Sequence, residues 1–192
     1  MDFTLAHAIN GFGAGIIDPL TELVCAVLFL VVVWSSMLGV TVWRDRSRAR
    51  EVSVGVLLAL VTHFALTEGL LKHGMLRLLP KRVRPWAAHP GEIVPVGFRF
   101  EDSSFPSSHV ASTTAVLFVF AWHYPRMRLP AALFVLLMAF ARVHNGMHYP
   151  TDVLAGTVLG LAYGWLGVTL AAKLAKRRGW APPEHFRAHR RP

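Results

Sequence analysis

Charge is scarce in this chain: 16% of its 192 residues are Asp, Glu, Lys or Arg, while 54% are hydrophobic and the mean hydropathy is +0.44. A soluble domain carries about 25% charged residues mixed among apolar ones, so the composition excludes an ordinary soluble domain. It also excludes disorder, because so apolar a chain cannot stay solvated. Cysteine is nearly absent: Cys25 stands alone inside an apolar run, which provides neither a disulfide framework nor a cysteine metal site. No Lys or Arg precedes Arg44, so the start lacks the cationic region of a cleaved signal peptide and the first helix is expected to remain.

What is present fits the bilayer as solvent. Residues 23–42 and 153–172 are uncharged runs of the ~20 residues needed to cross a hydrocarbon core. Shorter or interrupted runs lie between them, one carrying His63 and Glu68. The expectation is an all-α, polytopic membrane bundle of about five to six helices, forming one domain with spans near 20–42, 52–71, 107–122, 129–145 and 152–173. Residues 1–18, with turn glycines at 11, 13 and 15, are too polar to span and read as a surface segment.

Of the 20 Lys and Arg residues, 13 fall in the 44–50 and 126–128 loops and after span five. Basic loops stay cytoplasmic, which turns residues 72–106 and the junction between spans four and five outward. This topology accounts for most of the net charge of +9. The cations occupy short loops rather than one water-facing surface, so no nucleic-acid partner is expected. Gly156, Gly160 and Gly164 recur every four residues, a small-residue ribbon for close helix approach. Packing within one monomer is the favoured reading, with a seam between two copies as the alternative. A transporter or channel is suggested by His63 and Glu68 inside a span, but Glu68 stands four before Lys72, as in an ion pair.

Three polar clusters share the outward side. In RLLPKRVRPW, Arg77, Lys81, Arg82 and Arg84 crowd a stretch punctuated by Pro80 and Pro85. So many cations oppose the topological bias, and guanidinium forks suit phosphate oxygens. In SFPSSHVASTTA, Pro106, Ser107 and Ser108 open a helix whose free N–H groups make an anion site, with His109 in the first turn. In ARVHNGMHYPTDVLAG, Arg142, His148 and Asp152 are spaced 6 and 4 apart. A continuous helix would align His144, His148 and Asp152 as metal ligands, but Pro150 restarts a helix instead. A His just ahead of that restart, with Asp152 accepting its ring N–H, leaves the other nitrogen free as a nucleophile.

These clusters resemble the motifs of the type 2 phosphatidic acid phosphatase superfamily: Lys-x6-Arg-Pro, Pro-Ser-Gly-His and Ser-Arg-x5-His-x3-Asp. The matches are Arg84-Pro85, then Pro106-Ser107-Ser108-His109, then Arg142, His148 and Asp152. The chain departs from the pattern at Arg77, where Lys is usual, at Ser108 in place of Gly, and at Ala141 in place of Ser. Within the superfamily, AINGFGAGIIDPL, FPSSH and HYPTDVLAG are similar to the bacitracin-resistance type of undecaprenyl pyrophosphate phosphatase.

The resemblance implies a lipid phosphatase of the bacterial cytoplasmic membrane, active on the extracytoplasmic side, that converts undecaprenyl pyrophosphate to undecaprenyl phosphate. Another lipid phosphate, such as phosphatidate, phosphatidylglycerophosphate or a lipid A phosphate, is the alternative substrate. It further implies His148 as nucleophile, His109 as acid and base, and Asp152 as the group that orients His148. Arg77, Lys81, Arg84, Ser107, Ser108 and Arg142 are the implied phosphate contacts, with Lys72 a further candidate for the first-motif cation. Neither a metal nor another cofactor is implied.

Overall fold

The computed structural model describes residues 1–72 and 81–180. Arg77 and residues 181–192 lie outside these described residues. Helices α1 (Asp2–Gly11), α2 (Asp18–Cys25), α3 (Val27–Arg44), α4 (Arg46–His63), α5 (Pro85–Ala88), α6 (Ser108–His123), α7 (Arg128–His144) and α8 (Pro150–Arg177) follow in order, with no strand among the described residues. Helix α4 continues as a π-helical stretch over Phe64–Lys72. A helix of 27 residues from Arg46 to Lys72, together with α3, α7 with its preceding turn, and α8, is long and apolar enough to cross a membrane. The protein is thus a polytopic helical membrane protein.

Few residues of these helices are buried inside the protein, from 11% in α3 to 39% in α8. Exposed Val27, Leu28, Val32, Leu136, Leu154 and Trp165 sheathe the bundle in apolar surface, as lipid-facing helices require. The run expected to cross first is divided: Ala26 is extended, with ψ 125°, and separates α2 from α3. Helix α6 has 16 residues, a rise of about 24 Å against the ~30 Å of a hydrocarbon core.

Helix α6 sits at the centre, buried from Val110 through Leu117, with α4, α7 and α8 around it. Its Ala, Ser and Thr residues let neighbours come close, and α8 answers with its glycine ribbon. A Cβ on Gly156 would stand 2.6 Å from the Ser107 carbonyl oxygen, one on Gly160 2.5 Å from that of Ala111, and one on Gly164 2.6 Å from Phe118 Cβ. The ribbon therefore packs within the chain, in backbone contact with α6.

One end of the bundle gathers the basic turns: Arg48 at the start of α4 donates to the His123 carbonyl at the end of α6 (2.7 Å). The other end gathers the C-terminus of the π-helix and the N-termini of α6 and α8. Residues 1–18 strap that end. Asn10 donates to the His144 (2.6 Å) and Val94 (2.8 Å) carbonyls and accepts from the Val94 N–H (2.9 Å). His144 is held between the Ile9 carbonyl and Asp18.

Candidate active site

The α7–α8 turn places His148. Helix α7 ends at His144, Gly146 takes φ +70°, and Pro150 restarts the chain as α8. His144 is engaged by the N-terminal strap rather than aligned with His148, and among the described residues no three His, Cys, Asp or Glu form a metal-ligating group. His148 is 1% exposed. Its Nδ1 lies 2.7 Å from the Ser104 carbonyl oxygen. A carbonyl only accepts, so Nδ1 carries the proton and Nε2 keeps its lone pair. Nε2 faces Arg84 Nη1 and Arg142 Nη2, each at 3.3 Å. Burial first, then Arg142 and Arg84, push the imidazole well below the usual histidine range, so it is neutral at neutral pH. A neutral imidazole aimed between two guanidinium groups has the geometry to attack an anion held by them.

Asp152 does not accept the ring N–H as the spacing suggested. Its Oδ2 is 3.8 Å from His148 Nδ1 and instead accepts the Tyr149 N–H at 2.8 Å, closing the first turn of α8. Its Oδ1 takes Arg82 Nη1 at 2.5 Å, and Arg82 also pairs with Asp2. Asp152 is fully buried; it fixes the turn that carries His148 and leaves the ring's tautomer to Ser104.

Arg84 is 4% exposed and saturated with acceptors: Nε donates to the Asp102 carbonyl (3.1 Å), Nη1 to Met147 (2.9 Å) and Nη2 to Asp102 Oδ1 (2.5 Å). Arg142, 3% exposed, keeps a buried Nε without a partner among the described residues. Both guanidinium groups lie over the Phe100 ring, 5.5 and 5.6 Å from its centroid. Lys72 reaches Asp102 Oδ2 (2.9 Å) and Glu68 (3.4 Å), and Ser108 Oγ donates to Glu68. Burial alone would raise the Asp102 carboxyl, but Lys72 and Arg84 outweigh it and hold it at about 2.

A cavity of about 210 Å³ opens here, lined by Lys72, Arg84, Ser108, His109, Arg142 and His148 from the expected set, with Glu68, Phe100 and Asp102 added. Two expected phosphate contacts are elsewhere. Ser107 is buried in the α6–α8 seam, its N–H given to the Asp152 carbonyl (3.1 Å); Lys81 is exposed and off the cavity wall. Arg77 is outside the described residues, and Lys72 is the lysine at the site. The first turn of α6, starting at Ser108, presents N–H groups that have no intrahelical acceptor.

Fold and site together define a polytopic membrane protein with a buried histidine ring nitrogen facing two arginines in one cavity. The chain belongs to the PAP2 superfamily, whose pattern matches residues 49–176. It is 31% identical over 99 residues to the undecaprenyl-diphosphatase BcrC of Bacillus subtilis, covering 51% of this chain and 50% of that protein. It is 30% identical over 135 residues to the lipid A 1-phosphatase of Rhizobium etli, covering 69% of this chain and 56% of that protein. The chain thus spans about half the length of these relatives. A crystal structure of a transmembrane PAP2 type phosphatidylglycerolphosphate phosphatase from Bacillus subtilis superimposes with a TM-score of 0.64 at 21% identity, over 90% of this chain and 85% of that one.

Proposed function

We propose that this chain is a membrane phosphatase that removes the terminal phosphate of undecaprenyl diphosphate, without a metal, through a phosphohistidine on His148. The observation that carries the reading is His148 Nε2, kept unprotonated by the Ser104 carbonyl and set 3.3 Å from both Arg84 and Arg142. Nε2 attacks the terminal phosphorus, the bond to the bridging oxygen breaks, and undecaprenyl phosphate leaves. Arg84, Arg142, Lys72 and the N–H groups of the first α6 turn neutralise the equatorial oxygens, since phosphoryl transfer depends mostly on positioning and charge stabilisation. His109, on the same cavity wall, gives its proton to the leaving oxygen and later takes one from the water that splits the P–N bond.

The cavity suits a head group and not a tail, so the isoprenoid stays in the bilayer. The cation distribution supports a site on the extracytoplasmic face of the cytoplasmic membrane, where a spent lipid carrier of envelope polymer synthesis would be recycled. A second reading, a lipid A phosphatase, is supported by the longer alignment with the Rhizobium etli relative. Phosphate release by purified protein from undecaprenyl diphosphate, phosphatidylglycerophosphate and lipid A tests both. The expected result is a highest kcat/KM on the isoprenoid diphosphate; preference for lipid A moves the assignment, and no release from any lipid phosphate refutes it.

A further inference from the structure

The cavity that holds His148 contains carboxylates as well as cations, and one of them bridges two of those cations. Asp102 presents Oδ1 to Arg84 Nη2 at 2.5 Å and Oδ2 to Lys72 Nζ at 2.9 Å. The two cations are buried, with side-chain exposures of 4% and 6%, whereas the Asp102 side chain is 45% exposed and lies at the mouth. Two carboxylate oxygens spread over two cationic donors imitate two oxygens of a phosphate. Arg84 Nη1 also lies 3.3 Å from His148 Nε2, so a phosphate seated for attack meets the guanidinium whose Nη2 holds the carboxylate and competes with it for that group. Asp102 belongs to a segment without helix between α5 and α6, and its carbonyl separately accepts Arg84 Nε. The side chain can therefore leave while the main chain stays attached.

Resting on the phosphatase reading, we propose that Asp102 is an internal competitor for the phosphate subsite, a specificity-determining residue that sets a charge threshold for head groups. A carboxylate carries one negative charge, and a terminal phosphoryl group carries about −1.5 to −2 at neutral pH. The terminal phosphoryl group displaces Asp102; the single charge of a phosphodiester, which most membrane phospholipids carry, does not. The carboxylate thus keeps bulk lipid out of a site that faces the bilayer, and it reoccupies the cations as inorganic phosphate departs.

The test uses the full chain in detergent, with Asp102→Asn, Asp102→Ser and the charge-preserving Asp102→Glu. Binding of inorganic phosphate is measured by calorimetry, alongside inhibition of turnover by phosphatidylglycerol, a singly charged diester. The neutral variants are expected to bind phosphate about tenfold tighter and to become sensitive to the diester, while Asp102→Glu stays near wild type. Either neutral variant that unfolds at the wild-type temperature decides the matter. Weaker or unchanged phosphate binding, the signature of a residue that merely holds Arg84, overturns the proposal. An inactive wild type whose Asp102→Asn form still gains phosphate affinity would instead sink the phosphatase reading and leave the competitor standing.

Discussion

Replacing Gly156 with alanine perturbs the seam on which the site depends, at one defined point. The new Cβ would meet the Ser107 carbonyl oxygen at 2.6 Å, about 0.8 Å inside ordinary van der Waals contact, and that neighbour is backbone that cannot rotate away. Helix α6 must therefore move off α8 by most of an ångström at its N-terminus, stretching the 3.1 Å bond from the Ser107 N–H to the Asp152 carbonyl. Overpacking of this kind costs about 1–3 kcal/mol. The functional cost is larger, because α6 carries Ser108 and His109 while α8 and its preceding turn carry Asp152 and His148. A misplacement near 1 Å between reacting groups costs about 10²-fold in rate. Gly39→Ala in α3 is the control: its Cβ would find nothing within 4 Å, and alanine favours a helix by about 1 kcal/mol over glycine. Thermal unfolding in detergent and phosphate release are measured for both variants. Gly156→Ala should melt lower and turn over about 10²-fold more slowly, with Gly39→Ala at or above wild type in both. Wild-type turnover in Gly156→Ala would refute the claim that this close approach positions the site.

Three further outcomes follow from the same geometry. His148 is held neutral when folded, by burial first and then by Arg142 and Arg84, whereas in the unfolded chain it takes up a proton near pH 6.5. The protein should therefore lose stability as pH falls below about 6.5, and a His148→Gln variant should show a shallower fall in melting temperature over that range; equal slopes would contradict the neutral buried imidazole. Activity should survive chelation by EDTA and be inhibited by vanadate, because buried Arg84 and Arg142 supply the positive charge; full loss on chelation, restored by a divalent ion, would contradict this. A cysteine at exposed Glu92, with Cys25 replaced, should react with an impermeant thiol reagent in intact cells, and labelling only after lysis would reverse the topology.

The parts of the site legible in the sequence were those carried by side chains at fixed local spacing. Arg84, Ser108, His109, Arg142 and His148 all line the cavity because each cluster sits at a helix end that proline or glycine marks. What the spacing could not show is which long-range partner each group meets. Asp152 lies four residues after His148, yet the ring proton goes to the Ser104 carbonyl, a backbone group that no side-chain pattern records. The sequence leaves the first-motif cation open among Arg77, Lys81 and Lys72, and of these Lys72 reaches the cavity, from the end of a π-helical stretch. Its i, i+4 pairing with Glu68 was the available signal. Asp102 and Phe100 lie in a segment without periodicity, and the hold of Asn10 and Asp18 on α7 spans more than 120 residues of sequence. The break at Ala26 falls within an uninterrupted apolar run, so hydropathy alone is blind to it.

The central claim is that His148 carries the phosphoryl group, and trapping that intermediate tests it most directly. A His109→Ala enzyme, lacking the base proposed to activate water, is mixed with undecaprenyl diphosphate labelled on its terminal phosphate and quenched rapidly in alkali. Expulsion of a phosphate monoester, whose second pKa is about 6, needs little help from a general acid, so the first step should persist while the second stalls. The account predicts an acid-labile label that maps to His148 and is absent from His148→Ala. Turnover by the wild type with no protein-bound label in the His109→Ala enzyme, or label on any other residue, would contradict it.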